Sequence, residues 1–218
     1  MAKQDRAIRT RQAILMAAAQ AFEKYGYQAA TITEILKSAD VTKGALYFHF
    51  PSKEDLALGV LDAQEPPQTV PEHSLKLQEL IDLGMLFSHR LQTSLLARAG
   101  VRLSMDQQAQ GLDRSGPFLR WQEATHHLLA QAKHNGELLP HVNPTETADL
   151  YVAAFAGTQA VSQTLTDYQD LQRRHITLQQ HILPSIAAPS ILTALDLTPR
   201  APNASAGWPR RTEPAGAL

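Results

Sequence analysis

The chain reads as all-α, a small helix-turn-helix module followed by a larger helical body. Three observations predict this. Apolar residues recur at helical spacing through most of its 218 residues. Few segments alternate as strands do. Near the N-terminus two short helices are separated by a three-residue turn, ahead of a proline-rich break.

Taken in order, residues 7–25 form the first helix, with Ile8, Ile14, Leu15, Ala18 and Phe22 on one face and Arg9, Arg11, Gln12 and Glu23 elsewhere. Gly26 suits the residue after its end, where a left-handed backbone favours glycine. Thr31-Ile-Thr-Glu34 is a capping box that opens the second helix, and Ile32, Ile35, Leu36 and Ala39 are its apolar face. Asp40-Val41 turns, Thr42 caps the third helix, and Pro51 ends it. Ser52-Lys-Glu-Asp55 caps a fourth helix running to Val60 or Leu61. Glu65-Pro66-Pro67 through Pro71 is a stiff connection. Longer helices follow at about 74–92, 94–106, 116–135, 144–166 and 169–183, punctuated by Gly111, Gly116, Asn135-Gly136, Pro140 and Pro144. The tail from Pro199, rich in Pro, Ala and Gly, reads as disordered. The expected domains are a reader over residues 1–54, a body over 55–198 and a tail over 199–218.

Composition narrows the function. A hydrophobic content of 44% supports a sizeable core, and the absence of cysteine excludes disulfides, thiolate nucleophiles and Cys-ligated zinc. The charged N-terminus leads into no apolar signal sequence, and no apolar run approaches a membrane span, so a cytoplasmic protein without membrane attachment is expected. Net charge is −1, but residues 1–53 carry +4 and residues 54–218 carry −5. A basic module on a mildly acidic body points to nucleic acid.

The segment Val41-Thr-Lys-Gly-Ala-Leu-Tyr-Phe-His-Phe50 concentrates a cap, a cation, small residues and three rings. A short helix that packs on one side and presses the other onto DNA needs that mixture, and in a helix-turn-helix the second helix enters the major groove. Lys43, near the start of this helix, is the candidate for guanine O6/N7. Tyr47 follows one turn later on the same face. Thr42, His49, Thr33 and Lys53 are phosphate candidates, Gly44 allows close approach to the DNA backbone, and Arg6 and Arg9 are either a DNA-reaching arm or a frayed terminus. Leu46, Phe48 and Phe50 are expected in the core of the module rather than as wedges in DNA.

An enzyme is not expected. His126-His127 are adjacent, so they point to different sides of a helix, and Pro140 separates His134 from His141. No HExxH, GxSxG, P-loop or GxGxxG occurs. No metal or cofactor is expected, and the basic reader disfavours a pure protein-interaction module.

Residues 1–60 resemble the N-terminal domain of TetR-family transcriptional repressors. The resemblance is carried by Phe22-Glu-Lys-Tyr-Gly-Tyr27, Thr31-Ile-Thr-Glu-Ile35, the segment 41–50, and Ser52-Lys-Glu-Asp-Leu56. Four later stretches are similar to the γ-butyrolactone receptor subgroup: Ala97-Arg-Ala-Gly-Val-Arg-Leu103, the segment around Trp121, Phe155-Ala-Gly-Thr-Gln-Ala-Val-Ser162, and His181-Ile-Leu-Pro-Ser-Ile186. The resemblance implies a homodimeric repressor that leaves its operator when a lactone or butenolide signal binds, controlling antibiotic genes. The alternative is a related repressor that senses antibiotics or other hydrophobic compounds.

Such a signal needs an apolar pocket with few polar groups. Trp121 is the first candidate wall, since a Trp at this place lines the pocket in the subgroup. Phe87, Leu91, Val101 and Phe155 are further wall candidates or plain core. Thr158 either turns its hydroxyl to the ligand or bonds back to its own helix. Gln64, at the end of the fourth helix, is placed to link ligand to reader. The last two long helices are the expected dimer surface, with Ala148, Val152, Phe155, Ala156, Gly157 and Ala160 suited to tight crossing.

Overall fold

A computed structural model describes residues 2–62 and 70–198, Ala2 and Lys3 in backbone only. Among these residues the chain is helical, and its one isolated bridge joins Leu138 to Ala187. The helices are α1 (Ala2–Ala29), α2 (Ile32–Ala39), α3 (Lys43–His49), α4 (Lys53–Asp62), α5 (Lys76–Thr93), α6 (Leu95–Met105), α7 (Ser115–His134), α8 (Pro144–Thr166), α9 (Leu171–Ile186) and α10 (Pro189–Leu192). The expected Gln64 contact and the tail from Pro199 lie outside the described residues.

The chain divides into two compact units, Met1–Glu65 with Thr93–Trp121, and Pro66–Gln92 with Gln122–Leu218. The unit holding the helix-turn-helix thus extends past residue 54 and recruits a later segment. The reason is apolar. Leu56, Ala57, Val60 and Leu61 of α4 and Ala99 and Leu103 of α6 bury in one core with Ile14, Ala18 and Phe22 of α1, Ile35 of α2, and Leu46 and Phe50 at α3. Alanines 17, 18, 19 and 21 bring neighbouring helices close to α1. Polar ties add to this: Arg98 Nε meets Glu23 Oε1 at 2.7 Å, and Asp106 Oδ2 accepts from the Tyr27 N–H at 3.2 Å.

Local signals set the ends of the short helices. Gly26, at φ 76°, breaks the first helix where a left-handed residue was expected. Thr31 and Glu34 close both halves of the capping box, and the paired Thr31 hydroxyl holds the Glu34 carboxyl below its usual range. Asp40, at φ 51° and ψ 48°, ends α2, and the Thr42 hydroxyl accepts from the Ala45 N–H at 3.3 Å to start α3. Ser52 Oγ accepts from the Asp55 N–H at 3.0 Å and opens α4.

The second unit contains α5, most of α7, α8, α9 and α10. Its apolar core gathers Leu77, Leu80, Ile81 and Met85 with Leu129, Tyr151, Leu183 and Ile186. Glu137, buried after α7, caps α5 across 60 residues of sequence: its carboxylate accepts from the N–H groups of Lys76 and Leu77, both at 2.9 Å. Gln78 pairs its amide with the backbone of Asp196, accepting at 2.8 Å and donating at 3.0 Å, which fixes the chain after α10. Asp170 joins α8 to α9, accepting from Ser162 and Thr166 hydroxyls at 2.7 Å and from Arg174 Nε at 2.7 Å. Arg174 first, then the hydroxyls, holds its carboxyl well below the usual range.

Candidate nucleic-acid interface and ligand-binding core

Seven residues make α3, and burial divides them. Leu46 is buried and so is Phe50 just beyond, both held by the core. Thr42, Lys43, Gly44, Tyr47 and Phe48 are exposed and His49 is half-buried. Phe48 corrects the sequence expectation. It is 81% exposed, edge-on to the His49 ring at 5.1 Å, and belongs to the outward face rather than the core. Leu46 and Phe50, four residues apart, take the inward stripe, and Phe48 falls between them on the other side.

The outward face has the chemistry of a DNA reader. Lys43 Nζ lies 5.9 Å from the Tyr47 ring centre, so cation and phenol share one patch. The Thr42 hydroxyl, as cap acceptor, retains its own O–H to donate outward. Nothing lies within 4 Å of where a Cβ on Gly44 would be, so no packing inside the protein asks for glycine there. Thr33 is exposed on α2. Lys53 is differently employed: its ammonium donates to the Gln28 carbonyl at 3.2 Å and lies 4.8 Å over the Tyr27 ring. Burial lowers its pKa. Lys53 thus pins the start of α4 to the C-terminal end of α1.

In the second unit α9 presents Leu171, His175, Gln179 and Leu183 at four-residue steps, all fully buried or nearly so. The two polar members meet Tyr151 of α8. Gln179 Nε2 lies 2.6 Å from Tyr151 Oη and 2.7 Å from His175 Nε2, and Tyr151 Oη lies 3.1 Å from that nitrogen. Phe155 stands edge-on to His175 at 4.9 Å, and Phe87 of α5 lies 6.2 Å from Phe155. Gln179 Oε1 makes no hydrogen bond within the protein. Burial pushes His175 down to about 4, opposed by the nearby Gly84 carbonyl, and raises Tyr151 well above its ordinary value. Both are therefore neutral near pH 7. Aromatic rings around a few polar groups with bonding capacity to spare are the composition of small-molecule sites.

Of the expected ligand contacts, the structure brings Phe87 and Phe155 together. Trp121 and Val101 belong to the first unit. The Thr158 hydroxyl donates to the Ala154 carbonyl at 2.8 Å, the back-bonded alternative, and Thr158 lines a surface groove between α8 and α9 with Gly157, Val161 and Leu178. Sequence reasoning passed over the Tyr151–His175–Gln179 cluster, whose signal was a His and a Gln in register with Leu171 and Leu183.

The α8 surface is also offset from expectation. Ala148, Val152 and Phe155 are buried within the unit, whereas Leu150, Val161 and Leu165 are exposed beside the small Gly157. Among the described residues no group of His, Asp and Glu has the arrangement of a metal site, and no helix is long and apolar enough to cross a membrane.

The profile of bacterial regulatory proteins of the TetR family matches residues 14–60, the segment from mid-α1 through α4. The A-factor receptor protein of Streptomyces griseus is 41% identical over 194 residues, spanning 88% of this chain and 69% of the relative. Full-length TylP, a TetR regulator from Streptomyces fradiae, superposes with a TM-score of 0.79 at 42% identity, covering 90% of this chain and 87% of that one. A γ-butyrolactone receptor described as ArpA-like superposes at 0.68 with 25% identity, over 87% of this chain and 93% of that one. A helix-turn-helix with a bare polar and aromatic face, matched along nearly the whole chain, places this protein in the TetR family of DNA-binding transcriptional regulators, beside its γ-butyrolactone receptors.

Proposed function

We propose that the protein is a cytoplasmic homodimeric repressor that holds operator DNA until a γ-butyrolactone or butenolide signal binds, and that it controls antibiotic genes. The observation that carries this reading is likeness beyond the DNA reader: the A-factor receptor of S. griseus matches along 88% of the chain. By contrast, the QacR regulator of Staphylococcus aureus matches only 52 residues, 24% of the chain. The alternative reading is a related repressor that senses antibiotics or other hydrophobic compounds.

In this reading Thr42, Lys43, Gly44, Tyr47 and His49 face DNA, with Thr33 beside them. Lys53 acts by fixing α4. The signal lodges in the second unit near Phe87 and Phe155, its polar groups served by His175 and Gln179. Exposed Leu150, Val161 and Leu165 of α8 are the apolar part of the dimer surface, since apolar side chains repeated along one helix face call for a partner. Release requires that the signal bind the DNA-free conformation more tightly than the DNA-bound one, because equal affinity shifts nothing.

The test is a mobility shift with the full-length protein on its own promoter duplex and on a scrambled duplex, with and without solvent extract of producer cultures. A shift of the promoter duplex alone, abolished by extract, is expected. A shift that extract leaves unchanged overturns the signal-responsive reading.

A further inference from the structure

Phe48 has the greatest exposure of the exposed large apolar side chains among the described residues, at 81%, and it stands on the helix that reads DNA. Its neighbours on α3 are explained: Leu46 and Phe50 fill the core, and Lys43 and Tyr47 carry polar atoms for bases and phosphates. Phe48 has no polar atom, so it recognises only by apolar contact. Gly44 lies one turn before it on the same face, with open space where a Cβ would be. Glycine is a poor helix former, and no packing within the protein asks for it at this position. The two residues form a strip, bare at one end and aromatic at the other, shaped for a close neighbour.

In the major groove the most prominent apolar group on a base edge is the C5-methyl of thymine. We propose that Phe48 is a specificity-determining residue that packs its ring on a thymine methyl, with Gly44 letting α3 lie deep enough for that contact. This rests on α3 being the DNA-reading helix. Each half of a two-fold operator then carries one thymine whose methyl group matters.

The test uses the full-length protein and a duplex enriched by it from a random library. Each thymine is replaced singly by uracil, which removes the methyl and nothing else. One replacement per half-site is expected to weaken binding of the native protein about fourfold, the worth of one buried methyl. Phe48→Ala should bind the parent duplex more weakly and be indifferent to that replacement. Phe48→Leu, which keeps an apolar side chain, should retain part of the discrimination. An unchanged thermal midpoint confirms that the variants fold, and the uracil series on the native protein needs no variant. An enriched duplex indifferent to uracil at every thymine, or one equally sensitive with Phe48→Ala, overturns the proposal alone. No enriched duplex at all overturns the DNA-reading assignment with it.

Discussion

The imidazole of His175 occupies the space a side chain on Gly84 would need: a Cβ there would lie 2.1 Å from His175 Cε1 and 2.6 Å from Nε2. A glycine on α5 thus seats a buried ring of α9, and that ring in turn meets Tyr151 and Phe155 of α8. Gly84→Ala should destabilise the protein by roughly 1–3 kcal/mol through overpacking, despite the better helix propensity of alanine. Chemical denaturation measures this. An alanine variant as stable as the native protein would show that the ring is not confined.

His175 also sets a pH dependence. Its folded-state value of about 4 lies below the ordinary 6.5, because burial penalises the charged ring. The unfolded chain therefore binds the proton first, and stability falls as pH drops from 6.5 towards 4. The loss approaches about 3 kcal/mol at the low end. Asp170 acts in a different window: its depressed carboxyl contributes stability above about pH 4 that is lost only below it. Denaturation midpoints between pH 7 and 4.5 should fall more steeply for the native protein than for His175→Gln. Parallel slopes would remove His175 from the account.

Glu137 is the cap of α5. Glu137→Ala leaves two N-terminal N–H groups of α5 without their carboxylate and should cost about 1–3 kcal/mol. Glu137→Gln, which still accepts, should cost less. Hydrogen exchange at Lys76 and Leu77 is the direct readout, with faster exchange expected in the alanine variant. Exchange unchanged from the native protein would show that the cap is dispensable.

On the reading face, Lys43→Ala should weaken specific binding by roughly 1–3 kcal/mol and narrow the ratio between operator and scrambled duplex. Gly44→Ala should split stability from function: the fold gains up to about 1 kcal/mol from helix propensity, and DNA affinity falls. Competition titrations paired with thermal melts check both. An alanine at position 44 that binds as well as glycine would show that α3 does not need so close an approach.

Local grammar made most of the helices legible. Thr31, Glu34, Thr42 and Gly26 act within one turn of themselves, so their capping and breaking roles are visible in sequence order. What lay hidden was non-local. Glu137 caps a helix 60 residues away, α6 returns to the core of the DNA module, and His175 is meaningful only beside Gly84. Leu46, Phe48 and Phe50 look like one alternating apolar set in sequence order, whereas a helix keeps Leu46 and Phe50 inward and turns Phe48 outward. Thr158 and the α8 stripe show the same limit, since an apolar helix with small residues does not reveal which side faces inward.

The proposed repressor couples a DNA reader to a lactone-type signal within one chain. Fluorescence anisotropy of a labelled operator duplex, titrated with the full-length protein with and without a saturating γ-butyrolactone, tests it most directly. Operator affinity at least tenfold weaker with the lactone is expected, a coupling of about 1.4 kcal/mol or more. Lactone that binds the protein yet leaves operator affinity unchanged would contradict it.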